Sequence, residues 1–119
     1  VNFDRARSII DQAKKEDRSF LFEYESHDVM SSYGIPVLPG KVATSGAQAL
    51  EIAKEIDAPV ALKIVSPQIL HKVDVGGVLL NCQPKDAEKC FDELIARVKK
   101  NKPDAEIKGV FVQKMAAKG

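Results

Sequence analysis

The chain has 119 residues, 45% of them hydrophobic, which is enough for one domain core without disulfides or a structural metal. Its 18 basic residues are balanced by 17 acidic ones. That balance excludes the strong basic field on which binding to a nucleic-acid backbone depends. The longest apolar runs, such as 20–22 and 78–80, fall far short of the roughly 20 residues a bilayer span needs, so no membrane partner is expected. The sequence opens without a basic leader, an apolar stretch and a small-residue cleavage site, and the expected location is the cytoplasm.

Apolar residues Phe3, Ala6, Ile9, Ile10 and Ala13 recur at helical spacing and predict an amphipathic helix over 3–16, with Asn2 able to cap it. A second helix is expected over 20–33, with Ser19 as N-cap and Gly34 as the left-handed residue after its end. Pro36 then forces the chain to extend. A strand over 37–44 leads to a helix whose start carries Ser45 and Gln48, the spacing of a capping box, and whose inner face is Ala49, Ile52, Ala53 and Ile56. Pro59 ends that helix, and the β-branched run 60–65 reads as a strand.

A polar, glycine-containing loop over 66–77 separates this strand from another over 78–82. Pro84 marks the next boundary. Ala87, Cys90, Phe91, Leu94, Ile95 and Val98 then form the cleanest helical stripe in the chain. After a charged turn containing Pro103, residues 107–115 return as a strand. The fold class is therefore α+β: two lead-in helices over 1–36, followed over 37–119 by a β-α-β-β-α-β unit. That order matches a split βαβ, ferredoxin-like sheet with two helices on one face and the other face open. Cys82 and Cys90, the only cysteines, lack further Cys or His neighbours at metal-ligand spacing and read as two buried thiols. No metal-ligating residue is assigned.

Three features carry chemistry. Lys63 stands in an otherwise apolar strand, on the face opposite Val60, Leu62 and Ile64. A buried ammonium there needs an anion, which a phosphate would supply; the alternative is a lysine whose head snorkels to water. The 66–77 loop gathers His71, Lys72, Asp74, Gly76 and Gly77. Paired glycines allow close backbone approach to an anion, although a plain hairpin turn also uses them. His71 could accept a phosphoryl group, with Asp74 fixing its tautomer, or could simply lie at the surface. His27 gets no functional role. The last feature is the end of the strand at Gln113, Lys114 and Met115, whose backbone could meet an adenine edge or could merely emerge into solvent.

The motifs YGIP (33–36), PVALK (59–63), SPQILHKVDVGGV (66–78) and GVFVQKM (109–115) resemble, in order and over essentially the whole chain, the ATP-grasp part of ADP-forming acyl-CoA synthetases, or acetate-CoA ligases. The 66–78 stretch is the specific one. The resemblance implies a first ATP-grasp lobe of the nucleotide-binding (beta) part, with ATP or ADP and Mg2+ as cofactors. Partners would be a second lobe, expected to bring the Mg2+ ligands, and a CoA-binding subunit or domain. By resemblance Lys63 and Lys72 would contact phosphates, and Gly76, Gly77 and Val78 would belong to the loop over them. Gln113, Lys114 and Met115 would lie by the adenine. His71 would pass a phosphoryl group, with Asp74 beside it. Val73 departs from the family's frequent Ser or Thr, and Asp57 and Ala58 depart from its Gly and aromatic pair. The alternatives are a non-catalytic regulatory or scaffold module and another acid-CoA ligase, such as a succinate-CoA ligase. Retention of Lys63, His71 and Asp74 argues against the former, and the 66–78 loop against the latter.

Overall fold

A computed structural model describes residues 3–18, 21–69 and 72–115, without the side chains of Val73 and Asp74. Ser19, Phe20, Leu70 and His71 lie outside these residues, as does Asn2. The chain divides into two compact units, Val1–Val37 and Leu38–Gly119.

The first unit holds α1 (Phe3–Lys15) and α2 (Glu23–Ser32). Ala6, Ile9 and Ala13 are the buried stripe of α1, as the spacing predicts. Helix α2 starts later than expected, because its N-cap is Phe22 and the capping oxygen comes from inside the helix. The Phe22 amide donates to Glu25 Oε1 at 2.8 Å. Glu25 is in turn paired with Arg18, whose Nη1 meets Oε1 and whose Nη2 lies 2.9 Å from Oε2. The guanidinium also sits 4.3 Å from the centre of the Phe22 ring. At the other end Gly34 takes φ +78°, with Ile35 N–H donating to Met30 O and Gly34 N–H to Ser31 O. These paired bonds close the helix at the predicted glycine.

The second unit runs β1 (Gly40–Ala43), α3 (Gly46–Ile56), β2 (Val60–Val65), β3 (Val78–Cys82), α4 (Ala87–Asn101) and β4 (Gly109–Lys114). The expected α+β order is present. β1 is shorter than predicted because Pro36 and Pro39 bring no N–H to a ladder. β4 begins two residues later than predicted, at Gly109. Ser45 Oγ accepts from Gln48 N–H at 3.2 Å, and Gln48 Oε1 reaches back past Ser45 to Thr44 N–H at 2.7 Å. The sheet is antiparallel throughout, in the order β1-β4-β2-β3. Strand β4 fills the gap between β1 and β2, and β2 that between β3 and β4, so each βαβ unit is split by a strand of the other.

Register divides the residues between two faces, since opposed residues in an antiparallel ladder point the same way. Val60, Leu62 and Ile64 align with Lys114, Val112 and Val110. The apolar members of this set are fully buried, in one core with Ala49, Ile52 and Ala53 of α3 and Phe91, Leu94 and Val98 of α4. Cys82 is buried in that core as expected, whereas Cys90 is only half-buried at the edge of the α4 stripe. The second face is not bare, contrary to expectation: Ala61, Val65 and Phe111 are also buried there. Part of the reason is Gly40. A Cβ on Gly40 would lie 2.8 Å from the Phe111 ring, so its absence lets the ring lie over β1.

The loop between β2 and β3 is more ordered than its composition suggests. Ile69 inserts into the core, and residues Lys72–Val75 form a 3-10 turn. Gln68 Oε1 accepts from Glu106 N–H at 2.8 Å, which ties the loop's start to the segment before β4. Asn101 Nδ2 donates to Val75 O at 3.0 Å, which ties its end to α4. Gly76 takes φ +70°, and a Cβ there would lie 2.2 Å from Arg97 Cδ.

Three substitutions test this packing by urea unfolding. Leu62→Ala should cost about 2–5 kcal/mol, as a fully buried leucine in a close-packed core. Gly76→Ala should cost about 1–3 kcal/mol, because it combines a left-handed φ with a clash against Arg97. Arg18→Ala should cost about 3 kcal/mol or more, since both partners of the Arg18–Glu25 pair are 6% exposed and Glu25 would be left buried and alone.

Candidate nucleotide site

Lys63 stands on the sheet face away from α3 and α4, opposite Phe111 on β4 and Val78 on β3. Ala61, two residues back, is opposite Gln113. Lys63 and Gln113 therefore share that face diagonally, and the lysine Nζ lies 3.5 Å from Gln113 Oε1. Both residues are half-buried. The sequence singled out both residues and left them unpaired, since only the β2–β4 register brings them together. An ammonium beside a neutral amide on an otherwise apolar surface can take an anionic ligand without losing an existing ion pair to Gln113.

The other expected residues fall into two groups. Val78 joins Lys63 on the same face. Lys114 does not: its register partner is Val60, so its side chain leaves by the helix-covered side and is exposed. Its N–H donates to Pro39 O at 2.8 Å, and Met115 N–H donates to Pro59 O at 3.1 Å. The amides at this strand end are thus engaged within the chain, which removes them as ready donors for an adenine edge. Met115 is half-buried.

Lys63 and the 71–77 segment were expected to border one cleft. Among the described residues the segment keeps to the other side of the sheet. Gly76 abuts Arg97 of α4, Val75 packs on the helix-side core, and Gly77 leaves no room for a Cβ beside Ile64, whose Cγ2 would be 2.5 Å away. The chain passes to the Lys63 face only at Val78. Close packing on α4 and Ile64 therefore accounts for both glycines without a ligand. Lys72 is half-buried in the 3-10 turn. His71 and the Asp74 side chain, the expected phosphoryl acceptor and its carboxylate, lie outside the described residues. Sequence reasoning missed Gln68, Arg97 and Asn101, which hold this loop. Their signal is a tertiary one, since each acts on a backbone or glycine distant in sequence.

Among the described residues no cluster of three His, Cys, Asp or Glu side chains could hold a metal ion. The groups around Lys63 are a cation, an amide and apolar side chains, which do not fit a Mg2+ ligand set. No helix among them is long and apolar enough to cross a membrane.

Comparison with known proteins agrees with this geometry. The ATP-grasp domain profile matches residues 12–119. A 4-hydroxybutyrate–CoA ligase (ADP-forming) of Nitrosopumilus maritimus is 43% identical over all of this chain, which spans 17% of that protein. The beta subunit of acetate–CoA ligase (ADP-forming) I of Pyrococcus furiosus is 41% identical over 97% of the chain and half of the subunit. Among solved structures, an acetyl-coenzyme A synthetase of Ca. Korarchaeum cryptofilum, in complex with coenzyme A and Ca-AMPCP, superposes with a TM-score of 0.88 at 44% identity over 96% of this chain and 50% of that one. The same synthetase with Mg-AMPPCP, its phosphohistidine segment pointing towards the nucleotide-binding site, gives 0.74 at 36% identity, over 96% of this chain and 46% of that one. This chain thus spans half or less of each of these proteins. With its profile match, its α+β architecture and relatives that are ADP-forming acid–CoA ligases, the chain belongs to the ATP-grasp domain family.

Proposed function

We propose that the chain is the first ATP-grasp lobe of an ADP-forming acyl-CoA synthetase of the acetyl-CoA type, acting in the cytoplasm. The whole enzyme would convert acyl-CoA, ADP and phosphate into acid, CoA and ATP through phosphohistidine. The observation that carries this reading is the Lys63–Gln113 pair on one face of the sheet, 3.5 Å apart, in a chain whose relatives are ADP-forming ligases. Lys63 binds nucleotide phosphate. Gln113, Val78 and Met115 border the nucleotide on the same lobe, with Lys114 contributing through its backbone carbonyl rather than its N–H. Lys72, Gly76 and Gly77 belong to the loop that approaches the phosphates past the end of β2, and it carries His71 as phosphoryl acceptor with Asp74 as its carboxylate. Mg2+ is held by carboxylate and amide groups of a second lobe, since none of the groups around Lys63 is a carboxylate. A CoA-binding subunit or domain completes the site.

The neighbouring synthetase with Mg-AMPPCP supports the nucleotide and the metal, and its phosphohistidine segment supports the carrier. The test is incubation of the complete protein, second lobe and CoA-binding part included, with γ-labelled ATP. Acid-labile label should appear on the wild type, vanish in His71→Ala, and fall about 10- to 100-fold in Lys63→Met with folding unchanged. Label that persists at full level in His71→Ala overturns the carrier assignment. The 119-residue chain alone should bind ATP weakly, because one lobe leaves base and phosphates half exposed. Submicromolar affinity by calorimetry would contradict the two-lobe reading.

A further inference from the structure

The two cysteines of the chain meet in the fold. Cys82 ends the edge strand β3 and is 3% exposed, within the core that also holds Phe91 and Leu94. Cys90 lies in the first turns of α4, half-buried, and packs against the same core. The thiols of Cys82 and Cys90 are hydrogen-bonded to each other, and Cys82 Sγ also lies 3.5 Å from Gln83 O. Strand and helix are joined by Gln83 and the single 3-10 turn Pro84–Asp86, so the two thiols are held together by packing on both sides of a short connection. Cys82 is opposite Val60, on the helix side of the sheet and away from Lys63.

We propose that Cys82 and Cys90 are a reversible oxidation site, forming a disulfide that staples the end of β3 to the start of α4. Two thiols in contact need only a small rotation to reach bonding geometry, and no other cysteine competes for either. Access sets the order of events. Cys90 is the reachable thiol, so its thiolate attacks a low-molecular-weight disulfide such as oxidised glutathione. The oxidant's S–S bond breaks, one glutathione thiolate leaves, and Cys90 carries a mixed disulfide. Cys82 then gives its proton to solvent and attacks the Cys90 sulfur. The mixed disulfide breaks and the second glutathione leaves as thiol. Two protein thiols are oxidised, and one disulfide is reduced to two thiols.

Burial first, then the Cys90 thiol and the Asp86 carboxylate, pushes the Cys82 thiol up to about 12. The second step should therefore be slow at neutral pH and quicken about tenfold per pH unit across the alkaline range below that value. The staple stabilises the folded chain by shortening the unfolded one. Being on the opposite side of the sheet from Lys63, it should leave nucleotide contacts untouched.

The test incubates the 119-residue chain with oxidised glutathione at pH 8.5 and reads intact mass, free thiols and thermal midpoint. The expected product is a monomer lacking two hydrogens, with no free thiol and peptides 82 and 90 cross-linked. Its thermal midpoint should be about 5 °C higher, and dithiothreitol should restore the starting value. Cys90→Ser, at a half-exposed position, should fold normally and show neither change. A stable glutathione adduct on Cys90 without cross-linking, a disulfide-linked dimer, or two thiols that persist while the urea-unfolded chain oxidises would each overturn the proposal.

Discussion

The antiparallel register between β2 and β4 is the constraint on which the rest of this lobe depends. It sets Val60, Leu62 and Ile64 beside Val110 and Val112, and so gives α3 and α4 one continuous apolar surface to cover. The same alignment puts Lys63 diagonal to Gln113 on the reverse side. A slip of one residue would turn the lysine into the core and a core valine outward, which couples the position of a charged group to burial of the hydrophobic core. Burial of this kind, worth about 25 cal/mol per Å² of apolar surface, holds the register far more firmly than any single polar contact on the other face could.

Much of the architecture was legible because the local signals agreed with one another. Periods of 3.6 and 2, the Ser45 cap, Gly34 and the proline breaks all predicted the elements that formed. The failures came where a partner distant in sequence took over. Helix α2 was expected to start at Ser19, yet Glu25 caps it at Phe22 while held by Arg18, a contact that no local pattern announces. The β-α-β-β-α-β order implied two split units but was silent on which strand fills each gap. The sheet order β1-β4-β2-β3 answers that.

At the candidate site the residue types were legible and their arrangement was not. Lys63 betrayed itself as a charge in an apolar strand. Its neighbour Gln113, fifty positions along, could be found only from strand pairing. The glycines at 76 and 77 looked like a phosphate cradle, and the structure gives them a second duty as the place where the loop presses on Arg97 and Ile64. Lys114 drew attention as a cation by the adenine, but alternation along β4 sends its side chain to the other side. Composition finds candidate groups; the pleat decides which of them can cooperate.

The strand order also bears on how the chain comes to be folded. β4 is the last strand in sequence and lies in the interior of the sheet, between β1 and β2. During synthesis on the ribosome, the β2–β3 hairpin and β1 emerge well before it and have no direct contact with each other in the ladder. The nascent sheet therefore exposes unpaired β2 and β1 edges until residues 109–114 clear the exit tunnel. Pairing at such sequence separation is slow to close and leaves those edges open to foreign strands in the interval. Chaperone dependence of the growing polypeptide is thus built into the topology itself.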